Sequence, residues 1–265
     1  MLNCIAVPHP TLEAHLHDGV LTLSIQRPEV KNALDTPLYT LLTNAISEAD
    51  QSTEVRVLIL KGTENDFCAG NDMRSFLQLP TLPEVGQAGS TPPFLLLKAV
   101  AKFSKPCIAA VRGACIGIAS TLLLHFDLVY ADQTAVFQMP FVSLGLSLEG
   151  AASLLLVQRA SYHLAAEILF TAKKFDVEQA YRAGLINEIV ENPYLYANQQ
   201  AQELSQLPLA SLKAVKLLMK HNLEQILQCI DDEAEVVMQR AQSPEMFEAI
   251  SAFMQKRKAD FSQFH

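Results

Sequence analysis

The sequence predicts an α/β protein: stacked ββα units through the first half and a helical C-terminal region after them. Three observations carry that expectation. Short apolar or alternating runs recur at Val20–Gln26, Val55–Lys61, Cys107–Val111 and Asp127–Ala131. Helix-period segments separate some of them, and strands interleaved with helices favour α/β layering over a β-sandwich. From about Gly150 onward the apolar spacing is helical almost to the end.

The stretch from Gly19 to Arg27 alternates apolar and polar residues and stops at Pro28, as a strand followed by a turn does. Asp35 to Asp50 places Leu38, Leu41, Leu42, Ala45, Ile46 and Ala49 at helical spacing, with Asp35 as N-cap. Val55–Lys61 is the second strand, and Cys107–Val111, introduced by Lys105–Pro106, is the third. Asp127–Ala131 and Ala135–Gln138 complete the set. Downstream, helices are expected over Ala151–Gln158, Tyr162–Phe170, Val177–Ala183, Leu209–His221 and Leu223–Ala241. Residues 1–195 are expected to form the core and 196–265 a helical region. Leu79–Pro93, with four prolines and two glycines, has little periodicity and reads as a surface loop or an active-site flap.

A chain of 265 residues, half of them apolar and 18% charged, can bury a substantial core. Its 28 acidic and 20 basic residues give a formal charge of −8, which argues against sequence-independent nucleic-acid binding. The five cysteines are scattered, without Cys-x-x-Cys pairs or zinc-finger spacing to histidine, so neither a disulfide framework nor a metal site is expected. The start lacks a basic segment followed by an apolar run. The longest apolar stretch, Cys107–Leu124, is interrupted by Arg112 and rich in small residues. A cytoplasmic protein with no membrane span is the expectation.

Three segments stand out chemically. In Asp66–Met73, Gly70 lets the backbone turn sharply and frees the N–H of Asn71 ahead of an expected helix; taken alone, an Ala-Gly-Asn-Asp turn is usually only a turn. In Lys105–Ala131, a strand through Gly113–Gly117 runs into an apolar helix. That leaves an N–H free around Ile118, or else the glycines only ease packing of helix on sheet. In Phe137–Ser153, Glu149 stands among apolar and small residues just before a helix. It reads as a solvated loop residue, as a first-turn charge on the helix dipole, or as a carboxylate in an apolar wall, made more basic by desolvation.

Together with Arg27–Leu34 and the ending Phe253–Phe261, these segments stand in the order and spacing of the enoyl-CoA hydratase/isomerase (crotonase) superfamily, which the chain resembles from about Gly19 to its end. The resemblance implies a crotonase-like spiral of ββα units with a helical C-terminal region that assembles trimers, sometimes stacked as hexamers. It also implies an acyl-CoA thioester substrate handled through an enolate, with coenzyme A as part of the substrate and no separate cofactor. The enolate oxygen would accept the main-chain N–H groups of Asn71 and Ile118. Lys31, Ala33 and Leu34 would line the nucleotide, and Ala69, Gly70, Asn71, Asp72 and Met73 the pantetheine and thioester. Lys256 and Arg257 would approach the phosphates, from the same or a neighbouring subunit, or else form a solvated charged tail.

The chain departs from the hydratase pattern at three places. Thr121 and Phe141 occupy the two positions where hydratases carry glutamates, and neither is an acid–base group at neutral pH. Ile118 replaces the glycine usual at the second donor. Glu149 falls where peroxisomal-type Δ3,Δ2-enoyl-CoA isomerases keep their catalytic glutamate, in a similar Leu-Gly-x-Ser-x-Glu-Gly run. The resemblance therefore implies a single-carboxylate isomerase. The alternatives are a hydratase or lyase using Glu149 with water, and a non-catalytic acyl-CoA-binding or interaction module. His125, Asp127 and the cysteines near the two turns are expected to be structural.

Overall fold

The computed structural model describes residues 9–72 and 87–264. The chain opens with a hairpin of β1 (Leu12–His17) and β2 (Val20–Ile25), joined through Asp18 and Gly19 at φ of 48° and 79°. A two-residue hairpin that follows the natural strand twist needs such left-handed turn residues. β1 is a strand that the reading from sequence leaves out, although its Leu-Glu-Ala-His-Leu-His run alternates apolar and polar residues as a half-buried strand does.

Helix α1 (Thr36–Gln51) starts at Asp35, whose carboxylate accepts the Leu38 amide at 3.0 Å as an N-cap does. Then come β3 (Val57–Lys61), α2 (Pro92–Lys102), β4 (Cys107–Val111), β5 (Ala114–Ile116) and the short α3 (Ile118–Leu122). After β6 (Leu128–Ala131) and β7 (Val136–Gln138) follow α4 (Ala152–Arg159), α5 (Tyr162–Thr171), β8 (Phe175–Asp176), α6 (Val177–Arg182) and β9 (Glu188–Ile189). Four further helices close the chain: α7 (Pro193–Ser205), α8 (Leu209–Met219), α9 (Leu223–Arg240) and α10 (Pro244–Met254). The end of the segment expected to be irregular, Leu79–Pro93, enters α2 with Pro92 and Pro93 in its first turn, where a missing N–H costs nothing; its residues 79–86 lie outside the described residues.

The main sheet has the order β1-β2-β3-β4-β6-β9, parallel except for the opening hairpin. A second layer contains β5, β7 and β8, extended by single bridges that pair Cys68 with Cys115 and Leu34 with Asn71. Each passage of the chain thus lays one segment in the main sheet and the next in the second layer: β2 then Leu34, β3 then Cys68–Asn71, β4 then β5, β6 then β7. This is the expected spiral.

Alternation along β3 builds two cores from one strand. Leu58 and Leu60 face the principal core with Leu21, Phe67 and Phe137, while Val57 and Ile59 join Ala197 and Ala201 of α7 on the opposite face. The sequence boundary at 195/196 therefore falls inside α7, a helix that covers the sheet; the helices beyond the spiral begin with α8. Among the described residues no helix is long and apolar enough to cross a membrane.

Candidate active site

The first turn of interest is built by hydrogen bonds to its neighbours. Phe67 and Cys68 donate to the carbonyls of Arg112 and Ala114, and Ile116 donates back to Cys68, so Asp66–Gly70 runs beside β5. Gly70 then sits at φ +88°, and a Cβ there would stand 2.6 Å from the Ile116 carbonyl oxygen. Only glycine fits that approach. Beyond it, Leu34 donates to the Gly70 carbonyl at 2.8 Å and accepts from the Asp72 amide at 2.8 Å. Parallel pairing of this kind turns the N–H of the intervening Asn71 away from its partner. It has no hydrogen-bond partner among the described residues.

The second turn arrives from β5. The Gly117 amide donates to Gln138, and Gly117, at φ 60° and ψ −126°, bends the chain into α3. Ile118 is the first residue of that helix, so its N–H lacks an intrahelical acceptor. Among the described residues it too has no partner. The side chain of Ile118 is buried, which fills the space that a glycine would leave.

Ala69, Gly70, Asn71, Gly117, Ile118 and Glu149 line one cavity of about 310 Å³. Its other walls are Pro140, Phe141, Leu144 and Leu146, with Val237 from α9 and Met246 and Phe253 from α10. A larger hollow of about 440 Å³ lies elsewhere, between α8 and the Leu124–Leu128 segment, and contains none of these groups. Its cations are already engaged: Lys216 with Asp127, Lys220 and Arg159 with main-chain carbonyls.

Glu149 is 4% exposed, and among the described residues its Oε1 has no hydrogen-bond partner. Burial first, and the negative charge of Glu233 second, push its carboxyl up to about 8. Such a group is a poor resting anion but a strong base once ionised. Gly150 and Ala151 follow it at φ 77° and 56°. The buried imidazole of His125, at 2.9 Å from the Gly150 carbonyl, donates to it through Nε2; burial drives that ring down to about 3, so it remains neutral.

Several of the expected binding residues surround the first turn. The Lys31 carbonyl accepts the Ala69 amide, Ala33 and Leu34 are buried, and the Lys31 side chain is exposed beside Asp66. Asp72 is held by Arg27 at 3.1 Å. Met73 lies outside the described residues, as does the helix expected to follow Asn71. Lys256 and Arg257 follow α10 at the exposed C-terminal end, where Arg257 pairs with Glu248.

Sequence reasoning missed the groups that hold these turns in place. Asn32, at φ 58°, accepts the Arg27 amide and donates to Thr63 Oγ1 and the Asp66 carbonyl, tying the end of β2 to the first turn. Tyr39 of α1 is buried and donates its hydroxyl to Asn71 Oδ1. Asn32 lies inside a motif that the sequence displayed; Tyr39 gave no sign beyond an apolar face. The expected structural roles of Asp127 and His125 are visible in their bonds, Asp127 accepting from Cys107 and Lys216. Burial raises the thiols of Cys68 and Cys115, against the ionisation that nucleophilic chemistry needs.

With two unpartnered N–H groups and a buried carboxylate around one apolar cavity, comparison with known proteins decides the family. Residues 15–264 match the model for enoyl-CoA hydratase/isomerase. The chain belongs to that family. It is 30% identical to 1,2-epoxyphenylacetyl-CoA isomerase of Escherichia coli K12, over 94% of this chain and 97% of that one. It is 29% identical to human enoyl-CoA delta isomerase 2 over 93% of this chain and 64% of that one. Relatives named as hydratases stand at similar identity. A crystal structure from Acinetobacter baumannii, described as a candidate enoyl-CoA hydratase/isomerase, superposes with a TM-score of 0.85 and 59% identity, covering 90% of this chain and 100% of that one. The fold is therefore the crotonase spiral with its helical C-terminal region.

Proposed function

We propose that this enzyme of the enoyl-CoA hydratase/isomerase family moves the double bond of a 3-enoyl-CoA to the 2-position, with Glu149 as the single acid–base group. The observation that carries the reading is the cavity's chemistry: Glu149 is the one carboxylate on its wall among the described residues, and Phe141 and Thr121 stand where a hydratase has its two. Activating water while delivering a proton to carbon calls for more acid–base capacity than one such group supplies.

In the proposed reaction the thioester oxygen lies against the N–H groups of Asn71 and Ile118. Ionised Glu149 takes a proton from C2. The C2–H electron pair becomes the C1–C2 π bond of a dienolate, and the carbonyl π pair moves onto the thioester oxygen. Each preorganised donor of this kind commonly stabilises the transition state by ~2.7–4 kcal/mol. Glu149 then returns the proton to C4, the carbonyl re-forms, and the conjugated 2-enoyl thioester leaves. The apolar wall excludes water, which keeps the proton on the carboxyl between the two transfers.

Coenzyme A would enter as part of the substrate, with Lys31, Ala33 and Leu34 beside its nucleotide. A homotrimer or hexamer is part of the same reading, supported by the exposed Val215, Leu217, Leu218 and Met219 of α8. The test compares two reactions of one preparation. 3-Hexenoyl-CoA is expected to convert to the conjugated thioester, followed by absorbance, far faster than 2-hexenoyl-CoA is hydrated. Faster hydration would establish the hydratase reading instead; binding without either reaction would establish a non-catalytic module.

A further inference from the structure

A second buried carboxylate accompanies Glu149 and has no part in the reaction just described. Glu233 sits within α9 and is 7% exposed. Its Oε1 accepts the Ser153 amide at 2.9 Å and the Ser153 hydroxyl at 2.6 Å, with Cys229 Sγ at 3.7 Å. Among the described residues its Oε2 is enclosed without a partner, as is Oε1 of Glu149, and no other enclosed side-chain nitrogen or oxygen is left that way. Unpaired buried polar atoms are costly, so two that also sense each other's charge form a strained pair.

The geometry links the two acids through the backbone. Ser153 lies in the first turn of α4, whose free N–H groups favour a carboxylate. Glu233 supplies that carboxylate from a different helix. Between Glu149 and Ser153, Ala151 holds a left-handed φ of 56° that alanine does not seek by itself, so the turn is maintained from outside. One helical turn beyond Glu233, Val237 reaches the cavity wall. A single face of α9 thus meets both the turn that carries Glu149 and the cavity that Glu149 serves.

We propose that Glu233 is a positioning residue for Glu149, clamping the first turn of α4 and keeping a carboxylate charge beside the base. The inference rests on the reading of Glu149 as the base. Burial raises the Glu233 carboxyl as well, and Ser153, the Ala151 amide and Cys229 oppose that rise, whereas Glu149 has no such donors among the described residues. In the proposed pair the first proton goes to Glu149. Among the described residues the other groups around them do not neutralise either acid. Tyr39 from α1 is held in its neutral form by burial, and His125 is neutral. Lys98 from α2 is engaged by Asp231 and the Gly89 carbonyl, and Glu235 accepts the Ala88 amide.

The experiment uses the full chain. The infrared carboxyl band that disappears in Glu149→Gln identifies the base, and its titration is followed in Glu233→Gln, which keeps an acceptor for Ser153 and loses the charge. The midpoint is expected to fall by about one pH unit, and the acid limb of kcat/KM to move with it, while KM changes little. An unchanged midpoint overturns the charge role. Glu233→Leu removes the clamp as well and is expected to lower kcat roughly tenfold or more below Glu233→Gln; equal kcat overturns the positioning role. If Glu233→Gln does not fold, Ser153→Ala replaces it. Loss of one donor makes Glu233 easier to protonate and lowers the Glu149 midpoint, and no shift again overturns the proposal. Full activity of Glu149→Gln would instead sink the base assignment, and the titration reads the coupling independently of turnover.

Discussion

The hydroxyl of Tyr39 donates to the side-chain oxygen of Asn71, the residue whose main-chain N–H opens into the cavity. One helix thereby fixes the first turn from behind, and the side chain of Asn71 acts as a strut while its backbone faces the cavity, where the proposed reading puts the thioester oxygen. Tyr39→Phe removes the donor and leaves Asn71 Oδ1 unsatisfied, a change worth about 1–3 kcal/mol. Thermal unfolding is expected to register a loss of that order. Steady-state kinetics should show a fall in kcat with little change in KM, because the donor matters most when charge develops on the thioester oxygen.

Glu149 carries a stability cost with a definite sign. Its folded-state carboxyl is raised to about 8 from an ordinary 4.5, so the folded chain holds a proton that the unfolded chain releases. The contribution to stability is complete below the unfolded value and is lost as pH rises through 4.5 toward 8. Glu149→Gln removes that loss. The variant is expected to unfold at higher temperature than the parent at pH 8, by the equivalent of a few kcal/mol, with a much smaller difference near pH 5. A difference independent of pH would contradict the raised carboxyl.

Phe253 contributes an apolar wall to the cavity from α10 while remaining largely exposed on its outer side. Phe253→Ala should therefore cost little stability and lengthen the cavity, which the proposed reading fills with the acyl chain. The ratio of kcat/KM for longer over shorter 3-enoyl-CoA chains is expected to rise about tenfold, the scale of one or two methylenes gained in a pocket. An unchanged ratio would place the acyl chain along a different wall.

Legibility in the sequence followed the range of the interactions. The N-cap at Asp35 and the strand Cys107–Val111 depend on neighbours a few residues away, and both stand where the sequence placed them. Glu149, Asn71 and Ile118 drew attention through local glycines and a charge among apolar residues, and the fold brings all three to one cavity. β1 was readable, since its alternation is the ordinary sign of a strand with one half-buried face, whereas the two prolines of α2 looked like a break when they are a helix start. Tyr39 and Glu233 were invisible for a different reason. Their meaning lies in partners from distant parts of the chain, Asn71 and Ser153, and no local spacing encodes such a meeting.

The central claim is that one buried carboxylate performs both proton transfers, and turnover of 3-hexenoyl-CoA by folded Glu149→Gln tests it most directly. The carboxamide keeps the size of the side chain and cannot act as a base, so isomerisation should fall by several orders of magnitude while the variant still binds the thioester. Undiminished conversion by that variant would contradict the account.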